Sequence, residues 1–180
     1  MCVRDEWTQQ DVHRRISQAL ETLHAKDQYL LDQNVHERTI AHRLAIYLEH
    51  EFAGWHVDCE YNRNLGDVKH IAVLLQNCAR KHAPRERECA ESRVYPDIIV
   101  HCRGNNDQNL LVIELKKAPH CTACDKIKLR HYKTELHYRF ALSLSVAVSA
   151  AQTDKWVWVG SSTPAVRSCR ERREEPPESF

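Results

Sequence analysis

Two nearly uninterrupted apolar runs, VYPDIIVHC at 94–102 and NLLVIELKK at 109–117, constrain the fold more than any other feature of the chain. Bounded by RGNNDQN, a segment of Gly, Asn and Asp, they read as two strands joined by a turn. Their lack of alternation indicates burial on both faces, so both belong inside a sheet covered by helices. Each nevertheless carries charge: Asp97 at the start of the first run, Glu114 and Lys116 in the second. Glu114 and Lys116 are two apart and emerge on the same face of a strand. A carboxylate and an ammonium in an otherwise apolar strand are costly unless they pair or bind something. If the strands are hairpin neighbours, Asp97 reaches Glu114 across the pair, and two converging carboxylates want a cation. Oxygen ligands of this hard type select Mg²⁺ or Mn²⁺. The bland alternative is a salt bridge from Lys116 to Glu114 or Asp97.

The flanking segments supply the helices. Over 8–32, Val12, Ile16, Leu20, Leu23, Leu30 and Leu31 recur at helical spacing without Gly or Pro, which predicts one long helix with a break near Asp27. Asn34 followed by Glu37 suggests a capping box opening a second helix over about 35–53, closed by Gly54. WHVDCEYNR (55–63) reads as a first strand, residues 64–94 resist assignment, and CTACDKIKLRHYKTELHYR holds a helix over roughly 122–137. FALSLSVAVSA (140–150) and KWVWVG (155–160) complete the strands. Trp156 and Trp158 share one face of the last strand, for core packing in preference to a dimer surface. This order predicts an α/β fold (α+β mixed sheet) with helices packed on it. The expected division is a flanking helix at 1–33, a main domain at 34–160 and a disordered tail at 161–180.

Composition narrows the function little. Lys plus Arg number 26 against 25 for Asp plus Glu, a formal net charge of +1 that neither demands nor excludes nucleic acid. No apolar run is long enough to span a bilayer, and MCVRDEWTQQ lacks the apolar stretch of a signal peptide, so the expectation is a cytoplasmic protein with no membrane partner. Eight cysteines are then read as reduced thiols, with half a zinc site at Cys121 and Cys124 as a minor option.

YPDIIVHCRG, then NLLVIELKK, then a helix, resembles the PD-(D/E)xK nuclease superfamily, and HERTIAHRLAIYLEHEF followed by VDCEYNR looks like the N-terminal part of its small stand-alone bacterial members. The resemblance covers roughly residues 34 to 150 and implies a restriction-endonuclease-like αβββαβ core with an extra N-terminal helix. It implies that Asp97 and Glu114 bind Mg²⁺ (or Mn²⁺), that the carbonyl of Leu115 completes the site, and that Lys116 is the catalytic lysine. It also implies a further carboxylate from the preceding helix, for which Glu37 is the best match and Glu49 the fallback. A Glu37 folded back on its own cap could not reach a metal.

Four further residues are candidate phosphate contacts: Lys128 and Tyr132, four apart on the third helix, Arg63 and Arg103. The packed or solvated helix face is the alternative for the first two, and pairing with Glu60 the alternative for Arg63. The leading expectation is a DNA-cutting phosphodiesterase, endonuclease before exonuclease, with RNA still open as substrate and a homodimer as the form that would cut both strands. The alternative is a catalytically silent nuclease-like domain acting as a binding or scaffold module.

Overall fold

The computed structural model describes residues 6–61, 63–64, 67–68, 70–71, 92–93, 95–117 and 123–160, with backbone alone at 63–64, 67–68, 70–71, 92–93, 105–106 and 123–124. Two helices, α1 (Gln9–Asp32) and α2 (Glu37–Glu51), precede a strand β1 (His56–Cys59). Strands β2 (Ile98–Cys102) and β3 (Asn105–Lys117) follow, then helix α3 (Ala123–Glu135) and strands β4 (Phe140–Val146) and β5 (Lys155–Trp158). The five strands form one mixed sheet in the order β1-β2-β3-β4-β5. All neighbours are antiparallel except β3 and β4, which run parallel because α3 crosses between them. Two short ladders, Arg63–Asn64 with Asp67–Val68 and His70–Ile71 with Ser92–Arg93, lie between β1 and β2 in the chain.

The sheet divides two cores. On one face Ile98, Val100, Leu111, Ile113, Leu115, Leu142 and Leu144 pack against the apolar stripes of α1 and α2, including Val12, Ile16, Leu20, Ile40, Leu44 and Leu48. On the other, Ile99, Val112 and Ala141 pack against Leu129, Tyr132 and Leu136 of α3. The central strands are thus covered on both sides, as their continuous apolar runs require. Helix α1 shares its core with α2 and the sheet. Trp156 and Trp158 pack on that core, with the His13 ring 4.3 Å from the Trp156 ring.

Helix α1 departs from helical geometry at Asp27 (φ −119°, ψ 21°), where the expected break falls. The Asp27 carboxylate accepts hydrogen bonds from the Tyr47 hydroxyl at 2.5 Å and the Arg43 guanidinium at 3.0 Å, pinning the kink to α2. Burial opposes ionisation of Asp27, but these two bonds outweigh it and hold its pKa below the ordinary value.

The link between the helices differs from expectation. The capping box lies at Thr8 and Asp11, opening α1. Asn34 instead takes a left-handed conformation (φ 51°) and ends that helix: its N–H reaches Leu31 O at 2.9 Å and the Val35 N–H reaches Leu30 O at 3.4 Å, a Schellman arrangement. His36 caps α2 through Nδ1, which accepts from the Arg38 N–H. Asn tolerates both roles, and spacing alone could not choose between the end of one helix and the start of the next. The β2–β3 turn is also tighter than RGNNDQN implied: β3 begins at Asn105, and register shifts after Val100 absorb the extra residues.

Among the described residues no helix is long and apolar enough to cross a membrane. Cys59 is a free thiol, whereas Cys102 is disulfide-bonded, a departure from the expected set of reduced cysteines. Cys121 lies outside the described residues, as do the Cys124 side chain and the segment 161–180 expected to be a disordered tail.

Leu44 is fully buried between α1 and the sheet, whereas Glu49 on the same helix is exposed. Leu44→Ala is expected to cost about 2–5 kcal/mol in urea unfolding, and Glu49→Ala less than about 0.5 kcal/mol.

Candidate active site

Strand register puts the charged residues of both apolar runs on the face covered by α3. Ile99 lies opposite Val112, so the α3 face carries Asp97 and Ile99 on β2 and its approach, and Val112, Glu114 and Lys116 on β3. Asp97 immediately precedes β2; its carboxylate accepts the Leu115 N–H at 2.7 Å, locking it to β3 between Glu114 and Lys116. The opposite parity of Leu115 sends its side chain into the α1/α2 core, which anchors the backbone both charged neighbours depend on.

Glu37 joins this group from the first residue of α2. Its Oε1 accepts the Lys117 N–H at 3.2 Å and its Oε2 lies 3.5 Å from Lys116 Nζ. Glu37 therefore reaches across to the end of β3 and does not fold back on its cap. Lys117 secures the placement, its ammonium donating to the carbonyls of Asn34 and Val35 at 3.2 and 3.1 Å. Lys116 Nζ stands 3.9 Å from Asp97 Oδ2 and donates to its neighbour Leu115 O at 3.0 Å. Burial draws the Lys116 pKa down, but Asp97, Asp125, Glu37 and Glu114 together hold it above the ordinary lysine value. It is an ammonium at neutral pH.

Glu114 is the most deeply buried of the carboxylates, 2% exposed. Its Oε1 accepts from the Tyr132 hydroxyl at 3.1 Å and its Oε2 lies 3.7 Å from Lys128 Nζ. Both partners sit on α3, four residues apart, so one helical face serves one carboxylate. Burial raises the Glu114 pKa to about 7; Lys128 pulls it down, and Asp97 and Asp125 push it up. Burial raises that of Asp97 as well, against the Leu115 N–H and the two lysines.

The structure brings Glu37, Asp97, Glu114, Leu115, Lys116, Lys128 and Tyr132 together at one end of β3. Tyr132 is fully buried against Glu114, which is the packed-face alternative for this helix position. Arg103 stands elsewhere, donating to Asp58 on β1 through Nε at 2.8 Å. Asp58 also meets His101, and these two hydrogen-bonding partners overcome burial to hold its pKa well below the carboxylate range. The Arg63 side chain lies outside the described residues, and Glu60 pairs with Arg38 at 2.7 Å. Glu49 is exposed on α2.

Sequence reasoning missed Asp125, buried in the first turn of α3, and Ser143 and Ser145, buried on β4 opposite Glu114 and Lys116 in the parallel register. The alternation of serine with leucine in FALSLSV was the available signal for the serines. Among the described residues no three His, Cys, Asp or Glu side chains stand as a group that could hold a metal ion. The site oxygens close instead on the ammonium groups of Lys116 and Lys128. No family model, curated protein or solved structure matches the chain.

The raised Glu114 pKa has a measurable consequence. Its folded-state value of about 7 exceeds the ordinary 4.5, so the stability it contributes is complete below about pH 4.5 and is lost as the pH rises through 7. In buffer containing a chelator, Glu114→Gln should raise Tm relative to the unsubstituted chain more at pH 8 than at pH 5. Thermal melts at the two pH values measure this, and a pH-independent difference would contradict an ionising, buried Glu114.

Proposed function

We propose that this chain is a metal-dependent nuclease of the PD-(D/E)xK type, hydrolysing DNA phosphodiester bonds at Asp97, Glu114 and Lys116. The observation that carries the reading is the fixing of Asp97 to the Leu115 N–H, which sets it beside the Glu114-Leu115-Lys116 segment on one sheet face. The element order from α2 onward supports it further: helix, three antiparallel strands in the main sheet, helix, parallel strand, the αβββαβ order of that superfamily.

By type the donors suit a hard divalent cation: Asp97 and Glu114 offer carboxylate oxygens and Leu115 a carbonyl, while Glu37, held by Lys116 and the Lys117 N–H, would have to turn from them to complete a three-carboxylate group that the described residues do not form. These residues would hold Mg²⁺ or Mn²⁺, which supplies Lewis acidity and an acidified water when bound. Lys116, as an ammonium, stabilises the charge that grows on the phosphate and does not act as the base. Tyr132 orients Glu114 through its hydroxyl. Lys128 balances the charge of Glu114, and its half-exposed ammonium would also meet the substrate backbone. A second copy of the chain would serve the second strand of a duplex.

A second reading, a catalytically silent domain that binds or scaffolds, is favoured by the closure of Lys116 and Lys128 on the carboxylates and by the near-neutral net charge of +1.

A panel of single-stranded, duplex, flapped and branched DNA, with RNA, incubated with Mn²⁺ or Mg²⁺ and resolved on denaturing gels, separates the two. Cleavage is expected for DNA. Asp97→Ala, Glu114→Ala and Lys116→Ala should each lower kcat by at least about 10²-fold with the fold retained by circular dichroism. Full activity in Asp97→Ala would overturn the mechanism. Tyr132→Phe should raise the Mg²⁺ concentration for half-maximal activity about 10–100-fold, the scale of losing a partner that orients a ligand.

A further inference from the structure

A cavity of about 180 Å³ lies between α2 and β1, lined by Arg38, Ala41, His42, Cys59, Glu60 and Asp97. It is smaller than the several hundred Å³ of an ordinary ligand pocket, so it accepts one ring system and excludes a stacked dinucleotide. Its position sets its meaning, because Asp97 belongs both to this wall and to the candidate active site. Whatever enters the cavity lies next to a phosphate held there.

The lining chemistry selects the ring. Arg38 and His42 are four residues apart on α2, so a guanidinium plane and an imidazole plane rise from one helical face. Planar side chains of these kinds stack on unpaired bases. Ala41 and Cys59 give an uncharged inner wall; burial, with Asp58, Glu60 and Asp97 adding to it, pushes the Cys59 thiol up to about 11, so it stays a neutral packing group. Glu60 Oε1 meets Arg38 Nε at 2.7 Å at the exposed side, offering a base edge both an acceptor and a donor. A paired base inside a duplex presents no free ring face.

We infer that this cavity receives one unpaired base of single-stranded DNA, adjacent to the phosphate at Asp97, so that the substrate is a single strand or a frayed or flapped end in preference to intact duplex. This rests on the nuclease reading for its placement beside a scissile phosphate, but base capture is measurable without cleavage.

The test uses oligonucleotides carrying 2-aminopurine, single-stranded or annealed, titrated with the full chain in the presence of a chelator. Binding of the single strand at least about tenfold tighter than the matched duplex, with a change in 2-aminopurine fluorescence, is expected. Cys59→Leu fills the cavity from its inner wall and should abolish the fluorescence change. If that variant melts early, His42→Ala and Arg38→Glu, both on exposed side chains, remove the stacking planes instead and should weaken single-strand binding about tenfold. Equal affinity for single strand and duplex, or binding and fluorescence unchanged in all three variants, would overturn the inference. Wild-type DNA cleavage with cavity variants fully active on flapped DNA would sink the base pocket and leave the nuclease reading standing. Single-strand capture without cleavage of any substrate would do the reverse.

Discussion

A carboxylate buried near the middle of a sheet is the constraint on which the rest of this molecule depends. Glu114 sits in β3, the central strand, flanked on both sides by paired neighbours and covered by α3. A charge in that place needs partners, and on its own face the sheet offers only a second carboxylate, Asp97, and Lys116, whose ammonium is turned to Glu37 and Asp97. The partners come from α3, whose Lys128 and Tyr132 meet the two oxygens separately. The crossover connection that parallel pairing of β3 and β4 requires is therefore the same element that makes Glu114 tolerable. Topology and site chemistry share one helix.

The opposite face solves a different problem. Leu115 and its neighbours fix β3 against α1 and α2, and Lys117 ties the strand's end to the carbonyls that link those helices. Glu37 is consequently delivered to the site by backbone geometry, through a helix that packs on the far side of the sheet. The Asp27–Tyr47–Arg43 cluster holds the kinked end of α1 on α2 and so supports the same junction from behind. A residue on one layer reaches chemistry on the other because both layers end at one level.

Much of this was legible in the chain. The continuous apolar runs, the break at Asp27 and the Gly54 turn (φ 86°) follow from burial, helix period and the left-handed freedom of glycine, all local properties. The Asp97, Glu114 and Lys116 grouping was readable because strand parity needs only sequence spacing. The roles on α3 were not. Lys128 and Tyr132 share a helical face with either solvent or the sheet, and only tertiary packing decides which. The Asn34 turn failed for a related reason: the residue suits the end of one helix as well as the start of another, and their separation by four residues (33–36) left both readings open. Ser143 and Ser145 gained meaning only once parallel register placed them opposite Glu114 and Lys116.

The two ends of the chain between Glu60 and Pro96 meet, since the Glu60 N–H bonds the Pro96 carbonyl at 3.0 Å. Because the two ends are clamped together, the intervening length is thermodynamically cheap to alter, each doubling costing only about 0.6 kcal/mol of closure entropy. That clamp adjoins Asp97, whose carbonyl lies 3.4 Å from the same N–H. A change in that length leaves the register of β1 on β2 fixed, which gives the fold a port at which the chain can vary independently of the sheet that carries Asp97 and Glu114.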